Sequence, residues 1–160
     1  MLKLLAPATA AAALLATASF AETTVSNVDV TVDLTAVKNE TAAAYYTSLE
    51  EDLETAIISK VTPQLATDGA SVIVDIDELS LANSFQSILG IAESELSGSV
   101  TISNLQDNSE HQAYNLTVSF EPAPIVLSPD EDVVVLRSST TDYYIQMVDK
   151  FAENVADKLK

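Results

Sequence analysis

The sequence predicts an α+β fold, a two-layer sandwich in which a mixed sheet of four or five strands carries two amphipathic helices on one face. Short segments alternate apolar and polar residues with a period of two, and two longer segments carry an apolar stripe at helical spacing. Their order along the chain is β-α-β, an excursion, then β-β-β-α. Each helical stripe must be buried, and one covered face of a sheet can bury both.

A strand and a helix open the predicted domain. Residues 28–34 alternate Val or Leu with Asp or Thr, as in a half-buried strand. Asn39 to Thr41 offer an N-cap, and a helix is predicted over residues 42–61, ended by Pro63 and the Asp68-Gly69 turn. Its apolar stripe is formed by Tyr45, Leu49, Leu53, Ile57 and Val61.

The middle of the chain contributes a strand, the excursion and a hairpin. Residues 71–81 predict a strand parallel to the first, because a β-α-β unit connects parallel strands by a crossover. Residues 83–98 are ambiguous, since two glycines interrupt their helical spacing. A third strand begins at residue 100, and residues 114–120 alternate as a fourth strand. The helical spacing in the excursion comes from Phe85, Ile88, Leu89, Ala92 and Leu96.

The chain is predicted to end in a second amphipathic helix. Val133 to Leu136 predicts a short buried strand, the fifth of the sheet. Thr140 or Thr141 is the expected N-cap of a helix over residues 142–159. Its apolar face is formed by Tyr144, Met147, Val148, Phe151, Val155 and Leu159.

The two helices share a pattern, with Tyr45-Tyr46 and Tyr143-Tyr144 at equivalent positions. Two interpretations are open. The pattern is either a pseudo-repeat with paired aromatic sites, or the result of two helices packing on one sheet under the same rule. In the second interpretation the tyrosines border the core and direct their hydroxyls toward water.

Residues 1–21 are predicted to be a signal peptide and residues 22–160 a single α+β domain. Lys3 precedes an uncharged apolar stretch, and Ser19-Phe20-Ala21 fits the small-x-small cleavage rule, so cleavage is expected after Ala21, with Ala18 as the alternative. An uncleaved anchor is disfavoured by the weak hydrophobicity of the stretch. We expect a periplasmic or secreted protein with no stable membrane insertion after cleavage.

The composition excludes several classes of protein. Acidic residues number 24 and basic residues 7, for a formal net charge of −17, so a nucleic-acid partner is not expected. The absence of Cys excludes disulfides, a thiol nucleophile and a lipid-modified cysteine. The acidic excess favours a soluble chain.

No catalytic constellation is recognised, so the sequence predicts a protein that is not an enzyme and has no cofactor or metal. His111 is the only histidine and lies in a predicted polar loop. Asp75 and Asp77 share a strand face that could support hydrolysis or cation binding, but they also fit a solvent-facing side. Asp130-Glu131-Asp132 could bind a cation or form an acidic loop. The alternative function is therefore a secreted binder of a small apolar ligand or a divalent cation.

The predicted partner-binding residues are Phe85, Ile88, Leu89 and Ile91, four large apolar residues within seven positions of the excursion. One interpretation is a short core helix or flap. The other is a partly exposed apolar lip that binds a protein, and the off-stripe position of Ile91 favours it. The resulting hypothesis is an exported, non-enzymatic protein that binds another component of the cell envelope.

The signal, the first strand, the tyrosine-bearing helix and the C-terminal amphipathic helix resemble small envelope domains of Gram-negative bacteria. The C-terminal part runs from Leu136-Arg137 through Tyr144, Met147-Val148 and Phe151 to Leu159. The order of elements is similar to the N-terminal domain of TolB and to outer-membrane assembly lipoproteins of the LptE type. The chain lacks the lipidated cysteine of those lipoproteins and the propeller of TolB. The resemblance implies an envelope protein and assigns no residue roles.

Overall fold

A computed structural model describes residues 22–82, 93–105, 111–120 and 139–160, with Leu34 described by its backbone alone. It confirms the α+β class. The strands are β1 (Val25–Val32), β2 (Ala70–Ser80), β3 (Ser94–Ser103) and β4 (Gln112–Phe120), and the helices are α1 (Glu40–Ala43), α2 (Tyr46–Val61) and α3 (Thr140–Asp157). Short 3-10 turns cover Leu34–Ala36 and Thr62–Gln64. The predicted strand Val133 to Leu136 lies outside the described residues.

The described strands form one mixed sheet in the order β1-β2-β3-β4. Strands β1 and β2 are parallel, as predicted, while β2-β3 and β3-β4 are antiparallel. Gly69 allows the start of β2 to lie close to β1. A Cβ at that position would lie only 2.6 Å from the carbonyl of Thr24. This order leaves β1 and β4 as the edges of the described sheet.

The core lies between one face of the sheet and the two long helices. Val72, Val74 and Ile76 of β2 and the alternate residues of β3 are buried, and so are the apolar stripes of α2 and α3. Since α2 packs on β1 and α3 packs on β3 and β4, both helices cover the same face. Burial of this apolar surface is the main driving force of the fold. The buried helical residues are Leu49, Leu53, Ile57, Val61, Tyr144, Met147, Val148, Phe151, Ala152, Val155 and Ala156.

The helix ends follow capping chemistry. The predicted cap Asn39 is confirmed, since its Oδ1 accepts the N–H of Ala42 at 2.8 Å. The predicted single helix over residues 42–61 is divided into α1 and α2, with Tyr45 as the N-cap of α2. The prediction of Thr140 or Thr141 as the last cap is wrong. Ser139 caps α3 and forms a capping box with Asp142, whose carboxylate accepts the N–H of Ser139 at 2.7 Å.

Strand β3 begins six residues before its predicted start. Ser94, Leu96, Val100 and Ile102 are buried in it, so Leu96 belongs to a strand and not to the predicted helical stripe. Gly98 hides this period of two in the sequence, because it occupies the third of the five inward positions of β3, where an apolar side chain would mark the strand. A Cβ at Gly98 would lie 2.5 Å from the carbonyl oxygen of Asp75, beside the β2 bulge, so the glycine is required by close packing of two strands.

Candidate binding site

Helix α2 presents three different sides, each defined by residues three or four positions apart. The core side carries the buried stripe described above. The side toward β1 carries Tyr46, Glu50 and Glu54, and the carboxylates of Glu50 and Glu54 accept the backbone N–H groups of Val32 and Val30 at 3.0 and 3.2 Å. The side toward α3 borders an open groove.

This interhelix groove lies between α2 and α3 and has a volume of about 410 Å³. Its lining combines aliphatic carbon, two tyrosine rings, hydroxyls and two carboxylates. Ile145 is 57% exposed on its α3 rim. Such a size lies within the usual range of small-molecule sites. The lining residues are Tyr45, Ser48, Asp52, Ala56, Thr141, Tyr144, Ile145, Val148 and Asp149.

A pair of stacked tyrosines forms one end of the interhelix groove. The rings of Tyr45 and Tyr144 lie 4.2 Å apart between centroids at an interplanar angle of 28°. Tyr144 is buried, whereas Tyr45 is half-buried and keeps part of its surface at the groove. The hydroxyls of Tyr45 and Thr141 are 2.9 Å apart and share a hydrogen bond. These contacts fix the Tyr45 ring between the start of α2 and the start of α3.

The two carboxylates of the groove have different partners. Asp52 accepts the hydroxyl of Tyr144 at 2.5 Å, and Asp149 forms an ion pair with Lys60 at 2.6 Å. Burial, together with this hydrogen bond to Asp52, raises the pKa of Tyr144, so the tyrosine remains a neutral donor. Among the residues that the structure describes, no lysine or arginine forms an ion pair with Asp52.

A second apolar surface lies on the other side of Ile145, between β4 and α3. The residues of β4 that face the helices, including Val118 and Phe120, are only half-buried, whereas their counterparts in β2 and β3 are buried. A groove of about 320 Å³ runs beside them, lined also by Ile145 and Met147. The Phe120 ring packs against Tyr143 with 4.7 Å between centroids. We refer to Val118, Phe120, Tyr143 and Ile145 as the edge surface.

The predicted partner-binding residues Phe85, Ile88, Leu89 and Ile91 lie outside the described residues, but the flanks of their segment are described. The N–H of Ala82 donates to the hydroxyl oxygen of Ser94 at 3.0 Å, and both residues are buried. The hydroxyl of Thr140, at the start of α3, donates to the carbonyl of Ala82 at 3.3 Å. Ser94 pairs with Phe120 in the sheet. The two flanks therefore meet beside the edge surface.

The other residues considered in the sequence do not form a site in the described part of the chain. Asp75 and Asp77 are exposed on the face of the sheet opposite the helices, and His111 is exposed directly before β4. No group of three His, Cys, Asp or Glu residues in metal-binding arrangement occurs among the described residues. Asp130-Glu131-Asp132 lie outside them.

The interhelix groove was not predicted from the sequence. The hydroxyls of Tyr45, Tyr46 and Tyr144, which were expected to face water, each have a protein partner; that of Tyr46 donates to the Val32 carbonyl at 3.5 Å. The equivalence of the helices is limited to sequence, because Tyr45 stacks on Tyr144 while Tyr143 packs on Phe120. The sequence pattern that could have indicated the groove is the row of Tyr45, Ser48, Asp52 and Ala56 along one side of α2.

Comparisons with known proteins found solved structures that are similar to this chain. No protein-family model matches the chain, and a search of curated proteins returned no match. A variant of the PelC dodecamer from Paraburkholderia phytofirmans is similar to the chain at 11% identity and a TM-score of 0.45, with 85% of this chain and 86% of that chain covered. A minor lipoprotein from Acinetobacter baumannii is similar at 18% identity and a TM-score of 0.37, over 82% of this chain and 90% of that one. The likeness to TolB and LptE-type proteins is not confirmed.

In the described part of the chain, no helix is both long and apolar enough to cross a bilayer.

Proposed function

We propose that the protein is exported to the cell envelope, where it acts by binding another envelope component and not by catalysis. The location is supported by the N-terminal pattern of Lys3, an uncharged apolar stretch and small residues before Glu22. With cleavage after Ala21, the mature chain would begin one residue before Thr23. The N–H of Thr23 donates to the carbonyl of Leu159 at 2.8 Å, so the fold would begin almost at the new terminus.

The observation that carries the binding proposal is the position of the flanks of residues 83–92. The buried Ala82–Ser94 hydrogen bond holds the two ends of this apolar segment together beside the edge surface. The half-buried Val118 and Phe120 of β4 thus lie beside the ends of a segment whose sequence contains four large apolar residues. Contiguous apolar surface is typical of protein-binding sites.

The proposed contact residues are Phe85, Ile88, Leu89 and Ile91 together with the edge surface. The partner is a protein, because an apolar area built from several segments suits a macromolecular surface. Burial of one large aliphatic side chain in such an interface contributes about 1.5–3 kcal/mol. A charge placed at its centre should therefore prevent stable association.

The test is affinity capture of the envelope partner with the tagged, exported protein, comparing Leu89→Asp with Ile73→Asp. Ile73 is a matched control because it is also apolar, is 42% exposed and lies on the opposite face of the sheet. We expect one stoichiometric partner with the wild type and Ile73→Asp, and none with Leu89→Asp, while the melting temperature of Leu89→Asp stays near that of the wild type.

Two outcomes would contradict the proposal. Capture of the same partner by Leu89→Asp would exclude this contact region. A large fall in melting temperature for Leu89→Asp would place Leu89 in the core, which is the alternative role of the segment.

A further inference from the structure

The interhelix groove has the features of a ligand site that shares Ile145 of its rim with the proposed protein contact. Its aliphatic wall consists of Ala56, Ile145 and Val148, and its volume of about 410 Å³ accommodates a compact organic molecule. The same lining also has a polar part, formed by Ser48, Thr141 and Asp52. A ligand of this groove should therefore have an apolar body and one polar end.

The charge of that polar end follows from the two carboxylates. Asp149 is balanced by Lys60 at 2.6 Å, whereas Asp52 is half-buried and has no cationic partner among the described residues. The Tyr144 hydroxyl stabilises the Asp52 carboxylate but leaves its charge unbalanced. An anionic ligand would meet two carboxylates, so it is disfavoured. A cationic ligand would form an ion pair with Asp52 in a partly desolvated position, where charge-assisted hydrogen bonds are strong.

The aromatic end of the groove favours the same charge. Tyr45 is half-buried and borders the groove, and its ring is held by the stack on Tyr144 and by the Thr141 hydroxyl. The face of an aromatic ring attracts cations, so Tyr45 and Asp52, which both line the groove, favour an ammonium group. The whole chain, with a formal net charge of −17, also attracts cations at long range.

We propose that the interhelix groove binds a small organic cation, an aromatic or aliphatic body bearing one ammonium group. The ammonium pairs with Asp52 next to Tyr45. The body packs against Ala56, Val148 and Ile145.

The experiment titrates the exported protein, labelled for amide NMR, with 2-phenylethylammonium. Two probes of matched shape serve as comparisons, the neutral 2-phenylethanol and the anionic 3-phenylpropanoate. We expect saturable shifts of the amides of Ser48, Asp52 and Ile145 with the cation, about tenfold weaker binding of the alcohol, and no saturable shift with the anion.

Three variants separate the charge from the shape of the groove. Asp52→Asn should weaken binding of the cation about tenfold and remove its preference over the alcohol. Ala56→Leu fills the apolar wall and should reduce the affinity for both probes, which keeps the proposal testable even if Asp52→Asn is poorly folded. Asp75→Asn, on the opposite face of the sheet, should leave binding unchanged.

Three outcomes would overturn the proposal. These are no saturable shift with 2-phenylethylammonium at millimolar concentration, equal binding of the cation and the anion, and unchanged binding in both Asp52→Asn and Ala56→Leu. None of them bears on the partner capture, because that experiment varies Leu89 and Ile73 and leaves the groove residues Asp52 and Ala56 unchanged.

Discussion

Helix α2 carries carboxylates on two of its sides, and the two sets have different partners. Toward β1, Glu50 and Glu54 accept two backbone N–H groups of the strand. Toward α3, Asp52 accepts a tyrosine hydroxyl in an open groove. Because β1 is an edge of the described sheet, its outward N–H groups would otherwise be available to another strand. Glu50 and Glu54 therefore satisfy backbone groups at the sheet edge, whereas Asp52 borders a cavity.

This difference shows why the acidic composition does not locate a site. The chain has 24 acidic residues, and the partners of each one decide its role. Carboxylates that accept backbone N–H groups are structural, and removing them should reduce the stability. Replacing a carboxylate that faces a cavity should cost less stability, and its main effect should be on ligand binding. Variants on the two sides of α2 measure that difference directly.

The largest effect is expected for the double variant Glu50→Ala/Glu54→Ala. It removes the acceptors of the Val32 and Val30 N–H groups, and losing two charge-assisted hydrogen bonds should lower the free energy of unfolding by about 3 kcal/mol. Urea denaturation measures this change. The exposed neighbour Glu51 is the control, since Glu51→Ala should change stability by less than about 0.5 kcal/mol.

The double variant Glu50→Gln/Glu54→Gln separates the effect of charge from that of hydrogen bonding, because each glutamine amide oxygen can still accept its own N–H group. Its loss should be clearly smaller than that of the alanine variant. Equal losses of stability in the glutamine and alanine variants would show that the negative charge of the side chains, and not hydrogen-bond acceptance, stabilises the β1 edge.

On the groove side, Tyr144→Phe should lower the free energy of unfolding by about 1 kcal/mol, since it removes the hydroxyl that donates to Asp52. In a double-mutant cycle with Asp52→Ala, which removes the acceptor, the two changes should be coupled by about 1 kcal/mol. Tyr143→Phe is the matched control at the adjacent position and should change the stability by less than about 0.5 kcal/mol. Additive effects of Tyr144→Phe and Asp52→Ala would contradict the assigned hydrogen bond.

Alkaline pH should also lower the stability, through Tyr144 beside the groove and Tyr114 in β4. Unfolded tyrosine ionises near pH 10.0, while burial raises the pKa of Tyr114 to about 12 and burial with Asp52 raises the pKa of Tyr144 further. The folded state then keeps protons that the unfolded state has lost. Stability is therefore fully present below pH 10.0 and falls as the pH rises toward the folded pKa values.

Urea midpoints across this alkaline range test the prediction. The double variant Tyr114→Phe/Tyr144→Phe should show a flatter decline than the wild type. An identical decline would mean that neither tyrosine is protected in the folded state.

The smallest effect is expected for Tyr114→Phe, far from both sides of α2. The Tyr114 hydroxyl is buried with no hydrogen-bond partner among the described residues, so its removal should be neutral or stabilising by up to about 1 kcal/mol. The ring should keep its contact with the Lys158 ammonium, which lies 5.5 Å from its centroid. Thermal unfolding at neutral pH measures the change. A clear destabilisation would show that the hydroxyl has a partner outside the described part of the chain.

The elements with a regular period could be predicted from the sequence. The alternation of β1, β2 and β4, the stripes of α2 and α3 and the cap at Asn39 are local patterns, and they are confirmed. Strand β3 was predicted too short because Gly98 interrupts the alternation for a tertiary reason, the approach of Asp75. The cap Ser139 was missed because several hydroxyl residues follow one another, and only the capping box with Asp142 selects among them.

The candidate sites were less predictable, because both depend on contacts between distant segments. Asp52 and Tyr144 are 92 positions apart, and only the packing of α2 on α3 brings them together. Sequence periodicity marks which residues of a helix share a side, but it does not say what faces that side. The apolar residues 85–91 could be recognised as a candidate contact, and their role stays a prediction.

Photo-cross-linking in intact cells tests whether residues 83–92 and the edge surface bind an envelope protein. A photoreactive p-benzoylphenylalanine is placed in turn at Leu89, at Tyr143 of the edge surface, and at Ile73 on the opposite face of the sheet. We expect one cross-linked product of the same mass from Leu89 and Tyr143 and none from Ile73. A product from Ile73 alone, or none from Leu89 and Tyr143, would contradict it.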